Sequence, residues 1–497
     1  MKYILNAAEA KEVDQISIKE IGIPSVVLME KASMALADCV EKVCAIHNIQ
    51  QNIKILAVCG MGNNGGDGVA CARLLKERGY NASIFLVGDI SKATAEINTQ
   101  ISIASNLEVE FITKPKDNEY TVIIDALFGI GLSRDITGEY AEYIKWINSR
   151  KSSIIISADI PSGISADTGK VYGCAVKADY TVTFGYNKRG IIMFPGAFYS
   201  GMVTVADIGF PNKAVQKVCP KSFTYEKKDL KRLMPVRGMR TNKGNFGKVL
   251  VIAGSAGMSG ACFFAAKAAY RTGCGLVRIA TAKENLSILK TKLPEAITDS
   301  YEDGIKEAVQ WADVIAIGPG IGTDETAKKL VSEVLRIKDK PVVIDADAIN
   351  VLPRCAVEGD GPGMYYIGSN FIITPHLKEM SRLTGASVES IQKNLTTYAS
   401  CHKSGCVVVL KDARTVVSDG KHIYINTTGN NALATGGSGD VLCGIISGLL
   451  AQGMDVMKAA SLAVFIHGLT AESYIENKNR YSMIASDIIE ELQNILP

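Results

Sequence analysis

Ile53-Lys-Ile-Leu-Ala-Val-Cys59 runs straight into Gly60-Met-Gly62-Asn63-Asn64-Gly65-Gly66-Asp67-Gly68, and Val69–Arg78 follows with helical spacing. A short apolar run, a glycine-rich turn and an amphipathic helix make the first half of a parallel β-α-β crossover. The alternation continues outward. Strands are expected at Ala82–Val87, Thr121–Asp125, Ile154–Asp159 and Tyr180–Phe184, and a helix at Gly138–Ser149. Each strand ends near Gly or Asp, so this half of the chain reads as a parallel α/β domain.

A second alternation starts at Val249. Strands are expected at Val249–Ala253, Leu276–Ala280, Asp313–Ile317, Val342–Asp345, Phe371–Thr374 and Val407–Lys411, then a hairpin pairing Thr415–Val417 with His422–Asn426. A glycine loop then opens an apolar helix, Asp440–Leu450. Between the two halves, residues 211–248 carry eleven Lys and Arg against Glu226 and Asp229, with Pro211, Pro220 and Pro235. This stretch reads as a linker or a domain entry.

The 497 residues allow two or three domains. With 47% hydrophobic and 21% charged residues the composition is that of a globular protein, which excludes disorder and fibrous folds. The 54 basic residues nearly balance 51 acidic ones, which argues against nucleic acid as a partner. The 12 Cys form no C-x-x-C pair and the five His no zinc spacing, so Cys59, Cys71 and Cys262 read as buried apolar side chains of a reducing compartment. The start Met-Lys-Tyr-Ile-Leu-Asn lacks signal-peptide character, and the uncharged stretch Val249–Ala266 is broken by glycines and serines. No membrane association and a cytoplasmic location are the expectations.

Gly60, Gly62 and Gly65 satisfy G-x-G-x-x-G, with Asp89 at the end of the next strand. Dinucleotide-binding turns and purely structural turns share that pattern. The crowding of Asn63, Asn64 and Asp67 between glycines is unusual for a phosphate loop, since Asp67 would repel phosphate. It suits a polar ring, a sugar or a bound cation. Asp125 and Asp159 end neighbouring strands and lead into Gly129-Ile130-Gly131-Leu132-Ser133-Arg134-Asp135 and Pro161-Ser162-Gly163. Alone, each Asp would cap a turn. Together they converge where parallel sheets bind ligands, outside the strands' carboxyl ends.

In this order GNNGGDG, DALFGIGL and ADIPSG resemble the NAD(P)H-hydrate epimerase domain. The resemblance implies a Rossmann-like three-layer α/β/α fold over residues 1–215, binding hydrated nicotinamide dinucleotide and K⁺. It implies substrate contacts by Asn63, Asn64, Gly65, Gly66, Asp67, Gly129, Ile130, Gly131, Leu132, Ser133, Arg134, Asp135 and Asp159, with K⁺ held by Asn64, Asp125 and Ser162. Asp159 is the expected general acid/base.

In the second half, Thr435-Gly-Gly-Ser-Gly439-Asp440 offers successive glycine amides at a helix start, an anion hole for phosphoryl oxygens. Asp440 at its mouth could accept a hydroxyl proton or simply cap the helix; three preceding glycines favour the first role. No Walker P-loop is present. With GKVLVIAGSAGMSGA, GPGIG, DADAIN and TPH, this loop is similar to the ADP-dependent NAD(P)H-hydrate dehydratase, a ribokinase-like α/β domain expected over residues 225–497. Leu377 and Ser438 depart from the usual Pro and Thr. The resemblance implies that Ala261, Gly320, His376 and Asp440 contact the hydrated dinucleotide. Lys411, Asp412, Ala413, Arg414, Thr415 and Gly439 would contact ADP, with Mg²⁺ accompanying it.

The expected activity is repair of NADHX and NADPHX: epimerisation of the R and S forms, then ADP-dependent dehydration of the S form, by a homo-oligomer. A sugar or vitamin kinase would also use the glycine loop and Asp440 but would have no need of Asn63, Asn64 and Asp67. A first domain acting only as a dinucleotide sensor is the other alternative.

Overall fold

A computed structural model describes residues 1–49, 52–117, 119–355, 367–400 and 405–497. They divide into two compact units, Tyr3–Lys221 and Ser222–Pro497, the latter with Met1–Lys2. Among the described residues no helix is long and apolar enough to cross a membrane.

The first unit contains β1 (Lys2–Leu5), β2 (Lys54–Cys59), β3 (Asn81–Leu86), β4 (Glu110–Phe111), β5 (Val122–Ala126), β6 (Ile154–Ala158), β7 (Tyr180–Phe184), β8 (Asn187–Lys188) and β9 (Met202–Ala206). Seven of these form one sheet in the order β4-β3-β2-β5-β6-β7-β9, parallel throughout. Period-2 alternation sorts the side chains of β2 into two cores. Ile55, Ala57 and Cys59 pack with helices Ser25–Ile46 and Asn63–Glu77, while Leu56 and Val58 pack with Ile144 and Ile147 of Gly138–Ser149. The result is a three-layer α/β/α domain. The order reverses between β2 and β5, the switch point where such sheets open a crevice.

The second unit contains β10 (Ser222–Thr224), β11 (Lys248–Ile252), β12 (Leu276–Thr281), β13 (Ile297–Ser300), β14 (Val314–Ile317), β15 (Val342–Ile344), β16 (Phe371–Ile373), β17 (Val407–Leu410), β18 (Val416–Ser418) and β19 (Ile423–Ile425). Their order is β13-β12-β11-β14-β15-β16-β17-β18-β19-β10. Strands β11 to β17 pair in parallel, whereas β18 is antiparallel to both neighbours. The switch point lies between β11 and β14. There the two following loops join, Gly254 N–H donating to Pro319 O at 2.9 Å and Ser255 N–H to Gly320 O at 2.6 Å.

Two expectations change. The segment after Gly62 is not a loop: Asn63–Glu77 is helical from its first residue, with Gly62 as N-cap. A Cβ at Gly65 would stand 1.8 Å from Gly60 O, and one at Gly68 would stand 2.5 Å from Ala126 Cβ. These glycines let a helix lie directly on β2 and β5. Likewise Ser438–Ala451 begins two residues before Asp440, after Gly437 at φ +86°. Of the two readings of the basic segment, the domain entry holds: it supplies helix Asn212–Val218 to the first unit and β10 to the second.

Helices Ser259–Thr272 and Ser438–Ala451 pack closely through small residues. A Cβ at Gly444 would stand 2.2 Å from Ala265 O, a backbone atom that cannot give way locally. Gly444→Ala should therefore lower stability by about 1–3 kcal/mol, the cost of overpacking, measured by urea unfolding.

Candidate active sites

The crevice at the first switch point is a cleft of about 760 Å³. Asn63, Asn64 and Asp67 reach it from the first turns of Asn63–Glu77, Gly129–Arg134 from the loop after β5, and Asp159 from the end of β6. Gly65 and Gly66 do not line it; they pack against Gly60 O and Met29. Asp135 is exposed outside it. Asp89 is also absent from its wall and caps its own turn, accepting from Ser91 N–H at 3.0 Å.

Asp159 has φ +62°, a left-handed conformation that is rare for a non-glycine residue and concentrates at functional sites. Its Oδ1 accepts from Lys188 Nζ at 2.5 Å, Phe184 N–H at 3.1 Å and Thr183 Oγ1 at 3.2 Å. Burial, reinforced by the charges of Asp159 and Asp14, pushes the Asp67 carboxyl well above its usual range. The cleft therefore juxtaposes an ion-paired carboxylate and a carboxyl biased toward its protonated form, a division of roles suited to acid–base chemistry. Lys188 and Asp14 escaped the sequence reading, because nothing in the neighbourhood of either residue announces a site.

Asp125 and Ser162 lie wholly buried behind the cleft wall. Asp125 Oδ1 accepts from Ser162 Oγ at 2.5 Å, and Oδ2 accepts from Ser162 N–H at 2.9 Å and Ser157 Oγ at 2.8 Å. Burial nevertheless raises the Asp125 carboxyl above its usual range, outweighing these hydrogen bonds. Phe128 O lies 3.3 Å from Ser162 Oγ. Asn64 leaves its Nδ2, a donor, buried without a partner, so only its Oδ1 could face a cation. One carboxylate, one hydroxyl, one carbonyl and one amide oxygen are the donor types that a cation of low charge takes.

In the second unit the strand ends gather a different set. Asp345, at the end of β15, is buried, with Oδ1 accepting from Lys411 Nζ at 2.9 Å and Thr374 Oγ1 at 2.5 Å. Its Oδ2 is buried without a partner. Burial opposes the charge on Lys411, but Asp345 and Glu379 more than offset it and hold its ammonium above the usual range. Gly439 stands against both groups, since its Cβ would be 3.5 Å from Lys411 Nζ and 3.9 Å from Asp345 Oδ2. Asp440 follows in the first turn, its carboxyl raised to about 7 by burial and then by Asp345.

His376 is the N-cap of Leu377–Thr384. Its Nδ1 accepts from Glu379 N–H at 3.1 Å, while Glu379 Oε2 accepts from His376 N–H at 2.8 Å. Burial and then Lys411 lower the His376 imidazole, and burial raises Glu379 to about 7. A backbone bridge joins His376 to Lys411. Gly320, at φ +61°, packs against Ala261 and Met258. Asp412, Ala413, Arg414 and Thr415 form the connection from β17 to β18, where Thr415 Oγ1 donates to Asp412 O at 3.3 Å. His467 sits beneath the helix start with Nε2 3.1 Å from Ser438 O, and burial lowers it to about 4. Asp345, Glu379 and His467 were missed as site residues, although Asp345 carried the strand-end signal that exposed Asp125 and Asp159.

A carboxyl raised by burial weakens the fold once the unfolded chain ionises. Stability should fall as pH rises from about 4 to about 7, then level off. Glu379→Gln keeps an acceptor for His376 N–H and removes that cost. At pH 8 it should be about 1–3 kcal/mol more stable than the parent, with the gain vanishing near pH 4, read from denaturant unfolding across pH.

Two family profiles match the chain: one described as NAD(P)H-hydrate dehydratase over residues 249–494, the other as YjeF-related protein N-terminus over residues 25–190. Proteins named bifunctional NAD(P)H-hydrate repair enzyme from Thermofilum pendens and Moorella thermoacetica are each 34% identical to it, across 99% of this chain and 96% of their own lengths. The Escherichia coli protein of that name is 34% identical across 89% of this chain and 84% of its own length. A ribokinase-like superfamily protein from Enterococcus faecalis, 29% identical, superposes with a TM-score of 0.50 over 56% of this chain and 97% of its own. A Streptococcus mutans protein, 30% identical, matches with a TM-score of 0.50 over 55% of this chain and all of its own. With both profiles in one chain, and the identity spanning nearly its whole length, the chain belongs to the family of bifunctional NAD(P)H-hydrate repair enzymes.

Proposed function

We propose that the two sites act in sequence on hydrated NADH and NADPH. The first exchanges the R and S epimers at C6. The second uses ADP to dehydrate the S form, yielding NAD(P)H, AMP and phosphate. The observation that carries this reading is Asp440, raised to about 7 in the first turn of a glycine-started helix over the buried Asp345–Lys411 pair. That is a general base poised near neutrality beside an anion hole.

In the dehydratase site Asp440 accepts the proton of the C6 hydroxyl as its oxygen takes the terminal phosphoryl group, releasing AMP. The C6–O bond then breaks. Phosphate leaves with the bonding pair, the ring nitrogen lone pair forms the C6–N1 double bond, and loss of a C5 proton restores the dihydropyridine. The amides of Gly436–Gly439 face the transferring oxygens, Ala261, Gly320 and His376 position the hydrated ring, and Lys411–Thr415 with Gly439 position the nucleotide. The unpartnered Oδ2 of Asp345, beside Asp440, fits a divalent cation. Asp345 would hold Mg²⁺, which supplies positive charge against the phosphoryl oxygens.

In the epimerase site inversion needs one bond at C6 to open and reclose on the other face. Asp159 takes the hydroxyl proton while the C6–N1 bond opens and Asp67 protonates N1; the reverse transfers close the ring. Asn63, Asn64 and the loop Gly129–Arg134 orient the ring and its ribose. Asn64, Asp125 and Ser162 would hold K⁺, whose chemistry is a fixed positive charge behind the cleft.

This reading assigns the enzyme to the cytoplasm. Exposed Val26, Val27 and Met34 along helix Ser25–Ile46 support a homo-oligomer.

Asp440→Ala should abolish ADP-dependent recovery of reduced-nicotinamide absorbance, by at least about 10²-fold, while R/S exchange followed by chromatography persists. In the parent, the dehydration rate should rise with pH to a plateau above about 7, because the base works deprotonated. Retained dehydration in the variant would overturn the assignment.

A further inference from the structure

Of the lysines that line the epimerase cleft, Lys11 and Lys92 are exposed and Lys188 is buried. Lys188, on β8, comes from the segment following β7 and lines the cleft together with Asp14, Asp67 and Asp159. Both partners of the Lys188–Asp159 pair are buried. The three ammonium hydrogens have three acceptors: Asp159 Oδ1 at 2.5 Å, Phe184 O at 2.8 Å and Thr183 Oγ1 at 3.0 Å. A lysine with all its donors used in this way cannot swing out as a free catalytic amine. It is locked onto one oxygen of one carboxylate.

The locking is one-sided. Lys188 Nζ, Phe184 N–H and Thr183 Oγ1 all reach Asp159 Oδ1, and none reaches Oδ2. Asp159 lines the cleft, and its Oδ2 is the oxygen left for a ligand there. Asp67, from the first turns of Asn63–Glu77, and Asp14, from helix Ala7–Gln15, face the same space, which Glu96 and the exposed Lys11, Lys92 and Arg134 also line. Cys59, at the end of β2, is close enough to Asp67 for their charges to interact.

We propose that Lys188 is a positioning residue of the epimerase: it holds Asp159 by Oδ1 so that Oδ2 faces the C6 hydroxyl as proton acceptor. The proposal rests on the epimerase reading of this cleft. Lys188 touches neither substrate nor proton. It fixes the carboxylate's rotation and supplies the counter-charge that two further carboxyls nearby would otherwise deny it. Without that charge, a buried carboxylate beside like charges binds a proton and ceases to be a base.

The test uses the full-length enzyme and R-form NADHX, with chromatographic measurement of R-to-S exchange across pH. Lys188→Met should lower kcat at pH 7 by about 10- to 100-fold with KM changed less than about threefold, and should move the alkaline-going rise of the rate upward by at least about one pH unit. Lys188→Arg keeps the charge and should retain the parent's pH profile, although its fork cannot reproduce all three contacts. Thermal unfolding of each variant establishes that the domain is folded. A Lys188→Met enzyme that is folded, slow and unshifted in pH profile would overturn the proposal, as would an equally slow and shifted Lys188→Arg. Asp159→Asn separates the two levels: exchange at the parental rate would sink the epimerase chemistry itself, whereas loss of exchange there with a normal Lys188→Met would sink only the role of Lys188.

Discussion

Each domain buries a carboxylate at a parallel strand end and brings its counter-charge from far along the chain. Asp159 meets Lys188 across 29 residues, and Asp345 meets Lys411 across 66. A buried carboxylate left without its cation costs about 3–5 kcal/mol, so these pairs tolerate little slippage in the elements that carry them. In the first domain that means the pairing of β6 with β7, and in the second the run β15-β16-β17. The catalytic geometry and the strand register are thus one constraint.

The same burial separates the protonation states of neighbouring acids. Asp67 is pushed up beside the ion-paired Asp159, and Asp440 is raised to about 7 beside the ion-paired Asp345. In each site one carboxyl is spoken for by a lysine and its neighbour is left without one. In the first site a proton can then be held on Asp67 and accepted by Asp159 at a single pH, which is what the proposed opening and reclosing of a carbinolamine requires. The proposed cation sites rest on the same burial. Asp125 is satisfied by hydroxyl and amide donors but has no lysine, and Asp345 keeps one bare oxygen.

Much of the architecture was legible in the residues. Apolar runs ending in Gly or Asp located the parallel strands, and the glycine clusters marked both switch points. The reason for the glycines was not legible. Gly65 and Gly68 look like loop residues, yet neither has a positive φ, and each is needed because the chain packs helix against backbone or strand there. Asp89 fitted a dinucleotide spacing, but a local turn claimed its side chain. The basic stretch 211–248 read as a linker or a domain entry, because charge is visible in a sequence while the strand within it, β10, is only three residues long.

By itself the sequence determined two α/β domains, the crevices at their strand ends, and the acids Asp125, Asp159 and Asp440 at or near those ends. These follow from local periodicity and from where a parallel strand must stop. Tertiary structure alone decided that Lys188 pairs with Asp159, that Lys411 lies buried against Asp345, and that Glu379 and His467 stand behind the second site. Partners so distant in sequence are selected by strand order and desolvation, which depend on the packed whole and leave no mark on the neighbouring residues.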